Sequence, residues 1–148
     1  RTQLWIVGEG PEEAALKRLA VRLNVGDRIV FKPIVNRTSV ILPIFDIFVM
    51  PSIQEGLGLS VMEAQAAGIP VVASNVGGLP DVVDDGRSGI LVTPGQSRAL
   101  AEKIIFLLQN PSLAQSMARE ARMTIQEKFS LDQMVDKTVL FYEENLRC

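Results

Sequence analysis

The sequence predicts an α/β fold, in which an open parallel sheet carries helices on both faces. Five short runs, apart from Arg28 in the second, are apolar rather than alternating with polar residues, which is typical of strands buried on both faces. Longer segments with helical periodicity lie between these runs, and such alternation favours a parallel sheet. At 148 residues, with 47% hydrophobic content, the chain has the size of one domain, so we expect a single domain over 1–148.

The predicted elements alternate regularly along the chain. We predict strands at 4–7, 28–31, 47–50, 71–73 and 90–92. The helical segments are 12–23, 38–44, 60–67, 79–83, 98–108, 113–129 and 131–146. Pro11 is a natural first-turn residue for the first of these helices, whereas Pro43 weakens the second. The runs 47–50 and 71–73 are the most continuously apolar, so we expect them among the central strands.

Composition excludes several classes of protein. The 15 basic and 17 acidic residues are spread without runs, so no basic stripe for nucleic acid is present. No histidine occurs, which removes the commonest general base and the commonest metal ligand. No apolar stretch approaches the roughly 20 residues that cross a bilayer. The single Cys148 can form no internal disulfide, so we expect a cytoplasmic setting.

The first residues indicate a piece of a longer protein. The chain begins with Arg1, not Met, and enters an apolar run by Leu4 without a cap or a signal sequence. We therefore expect further sequence upstream.

The loop after the first predicted strand superficially resembles a dinucleotide-binding fingerprint. Gly8 and Gly10 fit that pattern, but Glu13 occupies the third glycine position. Glu9 also places a negative charge where a pyrophosphate would lie. We interpret this loop as a tight turn between strand and helix.

The loop after the third predicted strand has the features of an anion site. Gly56 and Gly58 stand directly before a helix, so free N–H groups and the positive end of the helix dipole can face a phosphate. Glu55 lies before this helix and Glu63 in its predicted first turn. Their carboxylates suit sugar and ribose hydroxyls, because each accepts two hydrogen bonds from vicinal hydroxyl groups.

Each of these residues also has a purely structural interpretation. Ser60 and Glu63 have the spacing of a capping box, which would satisfy free N–H groups locally. Glu55 could be a solvated loop carboxylate. The glycines at positions 77 and 78 allow a ligand to approach the backbone closely, or they merely form a turn with positive φ.

Taken together, the sequence blocks resemble the C-terminal domain of group 1 glycosyltransferases. These enzymes have a two-domain GT-B fold, each half of which is Rossmann-like, and they retain anomeric configuration. The resemblance covers essentially the whole chain through the ordered blocks 7–11, 27–31, 46–52, 55–63, 68–73, 77–83 and 85–92. One such block would be weak, but the ordered series is highly specific.

The resemblance implies a role for each matching position. Glu55 is similar to the first glutamate of the family's paired motif, which contacts the donor sugar and is assigned the catalytic position, and Glu63 to the second, which binds the ribose diol. Val35 matches the loop that touches the base. The family segment whose backbone amides meet the distal phosphate and the sugar corresponds to Gly56, Leu57, Gly58 and Leu59. A glycine pair near the donor corresponds to Gly77 and Gly78.

Two departures from the family pattern affect these expectations. Pro33 replaces a common glycine after the second strand, which alters the expected base recognition. The family's Arg and Lys that neutralise the donor diphosphate belong upstream of Arg1. In this chain, the helix dipole and the backbone amides would therefore provide most of the remaining attraction for the diphosphate.

The resemblance implies a retaining transferase of the hexosyltransferase type that needs no metal or other cofactor. The donor would be a UDP-, GDP- or ADP-sugar, and an N-terminal domain in cis would hold the acceptor. Any peripheral membrane contact would come through that domain, and the isolated chain would be inactive. The alternatives are a non-catalytic glycosyltransferase-like interaction module and, more weakly, a receiver-like or flavodoxin-like domain.

Overall fold

The structure, a computed structural model, describes residues 2–33 and 38–146. The strands are β1 Leu4–Val7, β2 Ile29–Lys32, β3 Phe48–Met50, β4 Val71–Ser74 and β5 Ile90–Val92. The helices are α1 Glu13–Arg22, α2 Thr38–Ile41, α3 Leu59–Ala66, α4 Leu79–Val82, α5 Ser97–Gln109, α6 Pro111–Lys128 and α7 Leu131–Leu146. Short 3₁₀ turns occupy Gly26–Arg28 and Leu42–Ile44.

The chain divides into two compact units, Arg1–Ile41 and Leu42–Cys148. In the first unit, β1 and β2 form a parallel pair. In the second, β3, β4 and β5 form a parallel sheet in that order, with Val72 opposite both Val49 and Ile90. The sequence predicted one continuous sheet, whereas the structure describes two parallel ladders, one in each unit. The strand β4 is central, as predicted, whereas β3, also predicted to be central, is an edge strand of its sheet.

Helices cover both faces of the three-stranded sheet. Successive strand side chains point to opposite faces. Val71 and Ala73 belong to a core cluster with residues of α3, whereas Val72, between them, belongs to a cluster with residues of α5 and α6. All four residues of β4 are buried. The predicted α/β class, with a parallel sheet flanked by helices, is confirmed.

Most boundaries lie within one or two residues of the predicted ones, and the differences have local causes. The segment 38–44 divides into α2 and a 3₁₀ turn, because Pro43 lacks the N–H that a continuing α-helix needs. The helix α6 begins at Pro111 rather than at residue 113, since proline is suited to the first helical position. In α7, no residue is buried.

Bilayer-spanning helices are absent from the described part of the chain, where no helix combines sufficient length with sufficient apolar character.

Candidate functional site

The loop between β3 and α3 holds the Glu55 side chain in a defined orientation. One carboxylate oxygen accepts a hydrogen bond from the Ser52 hydroxyl, with Oγ and Oε2 3.2 Å apart. The other accepts from the Gly56 backbone N–H, at 3.1 Å between N and Oε1. Glu55 is half-buried. It is therefore a fixed carboxylate with acceptor capacity left over, since each oxygen can accept two hydrogen bonds.

Four consecutive backbone N–H groups follow this carboxylate without a protein acceptor. Within 2–33 and 38–146, the amides of 57–60 make no hydrogen bond, and the first amide to find an acceptor is that of Val61, which donates to the Gly58 carbonyl at 2.9 Å. Free amides at the start of a helix attract anions, because their partial positive charges add to the helix dipole. In the predicted anion cradle, the donors of Leu57, Gly58 and Leu59 are thus free, whereas that of Gly56 is bound to the Glu55 carboxylate.

The N-terminus of α3 does not form the capping box of the structural alternative for Ser60 and Glu63. The helix begins at Leu59, and its N-cap is Gly58, in the left-handed region at φ 77°, with no side-chain hydrogen bond to the cap. Ser60 therefore lies inside the helix and caps nothing. Glycine suits this cap because other residues are strained at this φ, and a β-carbon on Gly58 would also overlap the side chain of the buried Leu79.

Glu63 is the fifth residue of α3 and lies in its second turn, so its predicted place in the first turn is wrong. Its side chain is exposed and makes no hydrogen bond or ion pair with any described residue. Residues four apart share a helix face, and helical side chains lean toward the N-terminus. The Glu63 carboxylate thus has no bonding partner among the described residues, and its side chain leans toward the turn that starts at Leu59.

The glycine pair at 77 and 78 packs directly on this loop. Gly78 donates its backbone N–H to the Gly56 carbonyl at 2.7 Å. Gly77 has φ 57°, and a β-carbon there would overlap the Glu55 carbonyl oxygen. The pair therefore contacts the backbone of the Glu55 loop.

The structure therefore gathers most of the predicted site in one unit. Glu55, the cradle amides, Glu63 and the glycine pair all belong to the unit that starts at Leu42. Val35 lies outside the described residues. The loop after β1 forms the tight turn that was predicted, with the Glu13 amide donating to the Gly10 carbonyl at 3.2 Å just before α1.

Two contributors to the site were not singled out from the sequence. Ser52 stands three residues before Glu55 and binds its carboxylate. Leu79 is fully buried and lies against Gly58. The Ser52 contact could have been predicted, because a serine three residues before a loop carboxylate is close enough to bind it. The contact of Leu79 with Gly58 joins residues 21 positions apart and leaves no pattern in the nearby sequence.

A cleft of about 520 Å³ lies at the other end of the three-stranded sheet, beside the residues that precede β3 and β4. Its floor is apolar, and its charged groups, Asp46, Arg119 and Arg122, are exposed and of both signs. Ligands of open α/β sheets bind instead at the carboxyl ends of the strands. The geometry therefore favours the loops after β3 and β4 as the functional site.

In 2–33 and 38–146, no group of three or more His, Cys, Asp or Glu side chains is arranged to hold a metal ion. Metal independence stays a prediction that follows from the family resemblance.

A sequence model of the family Glycosyl transferases group 1 matches residues 1–124. The chain belongs to this family. Membership excludes a receiver-like or flavodoxin-like identity and confirms the glycosyltransferase resemblance.

Individual group 1 relatives match nearly the whole chain. N-acetyl-alpha-D-glucosaminyl L-malate synthase of Bacillus anthracis is 31% identical over 145 residues, covering 98% of this chain and 38% of that protein. HepE of Anabaena, solved in complex with UDP, matches with a TM-score of 0.84 and 26% identity over 93% of this chain and 40% of its own. The chain thus spans about two fifths of either protein.

A solved C-terminal domain provides a match of similar extent. The C-terminal domain of LpcC, a group 1 glycosyl transferase of Francisella tularensis, has a TM-score of 0.79 and 25% identity, covering 87% of this chain and 70% of that domain. These matches confirm the predicted resemblance to the C-terminal half of a GT-B glycosyltransferase.

Proposed function

We propose that this chain binds the nucleotide-sugar donor of a glycosyl transfer at the loop before α3. The observation that carries the proposal is the run of four amides, 57–60, that have no acceptor among the described residues and begin two positions after the fixed carboxylate of Glu55. Amides at a helix start suit a diphosphate, and a carboxylate beside them suits sugar hydroxyls. UDP is bound by HepE, a structural relative, which supports a donor of this class.

Each part of the donor has a proposed partner. The Glu55 carboxylate accepts hydrogen bonds from sugar hydroxyls. The free amides of 57–59 meet the distal phosphate and the sugar, and Gly56, whose amide is held by the Glu55 carboxylate, provides the backbone beside them. Glu63 binds the ribose diol, for which its exposed, unpaired carboxylate is available. Val35 contacts the base.

The chemistry of this chain is charge stabilisation. As the glycosidic bond breaks, negative charge develops on the departing nucleoside diphosphate. Preorganised amides that face this charge lower the barrier without proton transfer. We propose that the whole protein is a retaining hexosyltransferase in the cytoplasm that uses no metal. An N-terminal domain would hold the acceptor, so the isolated chain would bind donor without turnover.

The experiment that tests donor binding is a ligand-observed NMR screen. The 148-residue chain is mixed in turn with UDP-glucose, GDP-mannose and ADP-glucose, and the matching nucleoside diphosphates serve as competitors. We expect saturable binding of one of the three, displaced by its own diphosphate. A folded chain that binds none of them would overturn the proposal and favour a non-catalytic interaction module.

A further inference from the structure

The segment that follows β4 fits against the Glu55 loop through backbone atoms. A β-carbon on Gly78 would lie 2.6 Å from the Gly56 carbonyl oxygen and 3.1 Å from the Leu57 Cα. One on Gly77 would overlap the Glu55 carbonyl. Contacts this close involve main-chain atoms, which cannot rotate away as a flexible side chain can. Both positions therefore require glycine if the loop is to keep its conformation.

We propose that Gly77 and Gly78 are positioning residues for the sugar-binding half of the donor site. They act through the backbone of residues 55–57 rather than by touching the donor. This inference rests on the proposed function and divides the site into two parts with separate supports. The glycine pair sets the part that meets the sugar, and helix α3 sets the part that meets the ribose.

The coupling to the carboxylate is direct. The Gly78 amide donates to the Gly56 carbonyl, and the Gly56 amide donates to the Glu55 carboxylate. Gly56 therefore connects the glycine pair to the side chain proposed to contact the sugar. A shift of the Gly56 backbone would move both the carbonyl that accepts from Gly78 and the N–H that orients Glu55.

The ribose-binding carboxylate is supported in a different way. Glu63 lies on α3, which is anchored by its buried residues Val61, Ala64 and Gln65. The nearest atoms to a β-carbon on either glycine belong to residues 55–57, and none belongs to Glu63. Displacing the loop would thus disturb Glu55 while leaving α3 in place.

Gly78→Ala is the sharpest variant, because Gly78 has φ −82°, which alanine adopts without strain. Its methyl group would push only on the loop. Gly86→Ala is the matched control for general destabilisation. Gly86 has φ 79° with no atom within 4 Å of its β-carbon position, so alanine there strains the backbone away from the loop.

The test compares two ligands in each variant. Affinities of wild type, Gly78→Ala and Gly86→Ala are measured for the best-binding of UDP-glucose, GDP-mannose and ADP-glucose, and for the nucleoside monophosphate of the same base. We expect Gly78→Ala to bind the nucleotide sugar roughly ten-fold more weakly and the monophosphate within about two-fold of wild type. Gly86→Ala should change neither affinity.

A parallel loss for both ligands, or no loss for either, would overturn the positioning role. A purely structural effect reduces the fraction of competent protein and so cannot select one ligand. Gly77→Ala, whose β-carbon would overlap the Glu55 carbonyl oxygen, provides a second variant should Gly78→Ala fail to fold. We expect Gly77→Ala to weaken binding of the nucleotide sugar more than binding of the monophosphate, as Gly78→Ala does.

A ligand-free measurement separates this inference from the proposed function. In ¹⁵N spectra without nucleotide, the backbone resonances of residues 55–57 should shift in Gly78→Ala, whereas those of 63–66 should stay near their wild-type positions. Unshifted loop resonances would contradict the inference whether or not a nucleotide sugar binds. Wild-type protein that binds no nucleotide sugar, with shifted loop resonances, would contradict the proposed function alone.

Discussion

Gly77 lies so close to the Glu55 loop that a β-carbon at residue 77 would overlap the Glu55 carbonyl oxygen. The two residues are 22 positions apart and follow neighbouring parallel strands, β3 and β4. Because the carboxyl ends of parallel strands meet at one edge of a sheet, their loops can be fitted together there. The candidate site is thus built by two loops, of which one carries Glu55 and the free amides and the other packs against its backbone.

Gly77→Ala should destabilise the protein more than Gly86→Ala. Both glycines have positive φ, 57° and 79°, and an alanine in this region costs about 1–2 kcal/mol. Gly77→Ala adds steric overlap with backbone, which costs roughly a further 1–3 kcal/mol. The measurement is urea unfolding of wild type and both variants. Equal free energies of unfolding for the two variants would show that the loop yields without cost.

Glu63→Gln should weaken nucleotide binding and leave stability unchanged. The neutral amide keeps one acceptor but loses the charge that strengthens both hydroxyl contacts, so we expect a loss of roughly 1–3 kcal/mol in binding free energy. The side chain is exposed and unpaired among the described residues, and it belongs to no capping box, so the thermal midpoint should not move.

The matched control for Glu63→Gln is Glu127→Gln on α6. Glu127 is also exposed, with no hydrogen bond or ion pair among the described residues. Titration with the best nucleoside diphosphate, beside thermal melts, compares the two. Glu63→Gln affinity equal to that of Glu127→Gln would remove the ribose role.

Chelation of divalent cations should not affect donor binding. The proposed grip on the diphosphate consists of backbone amides and the helix dipole, neither of which needs a metal. Isothermal titration of the nucleotide sugar with EDTA, with magnesium and with manganese should therefore give the same affinity within about two-fold. Binding that appears only when a divalent cation is added would refute metal independence.

Helix α7 should exchange its amide hydrogens faster than α6. None of its residues is buried, and apolar side chains such as Leu140 and Phe141 are 56% and 63% exposed. By contrast, α6 buries five residues in the core. Local opening is easiest where few apolar contacts are lost. Hydrogen exchange followed by mass spectrometry provides the comparison, and equally high protection of α7 would show that it is packed in solution.

The secondary structure could be predicted closely because its signals are local. Apolar runs placed every strand within one residue, and Pro111 lay at a helix start that proline favours. The start of α3 was predicted within one residue, but the spacing of Ser60 and Glu63 also allowed a capping box that does not form. The N-cap is Gly58, whose left-handed backbone and contact with Leu79 are not visible in the pattern around residue 60.

The geometry of the candidate site could be predicted only where its residues are contiguous in sequence. Glu55 and the glycines before α3 form one stretch of sequence, so their cradle was visible there. The hydrogen bond from Gly78 to the Gly56 carbonyl depends on how two loops pack, and this packing could not be predicted. From the sequence, the two glycines indicated only a turn or a close approach of a ligand. The edge position of β3 likewise depends on strand order, which apolar content does not specify.

The central claim is that a nucleotide sugar binds at the start of α3. The most direct measurement follows the backbone amides by ¹⁵N NMR while the best-binding of UDP-glucose, GDP-mannose and ADP-glucose is added to the chain. We predict that the largest shifts fall on residues 57–60, whose N–H groups have no protein acceptor, and saturate together. Shifts that saturate instead at the cleft beside Arg119 and Arg122, with residues 57–60 unmoved, would contradict the account.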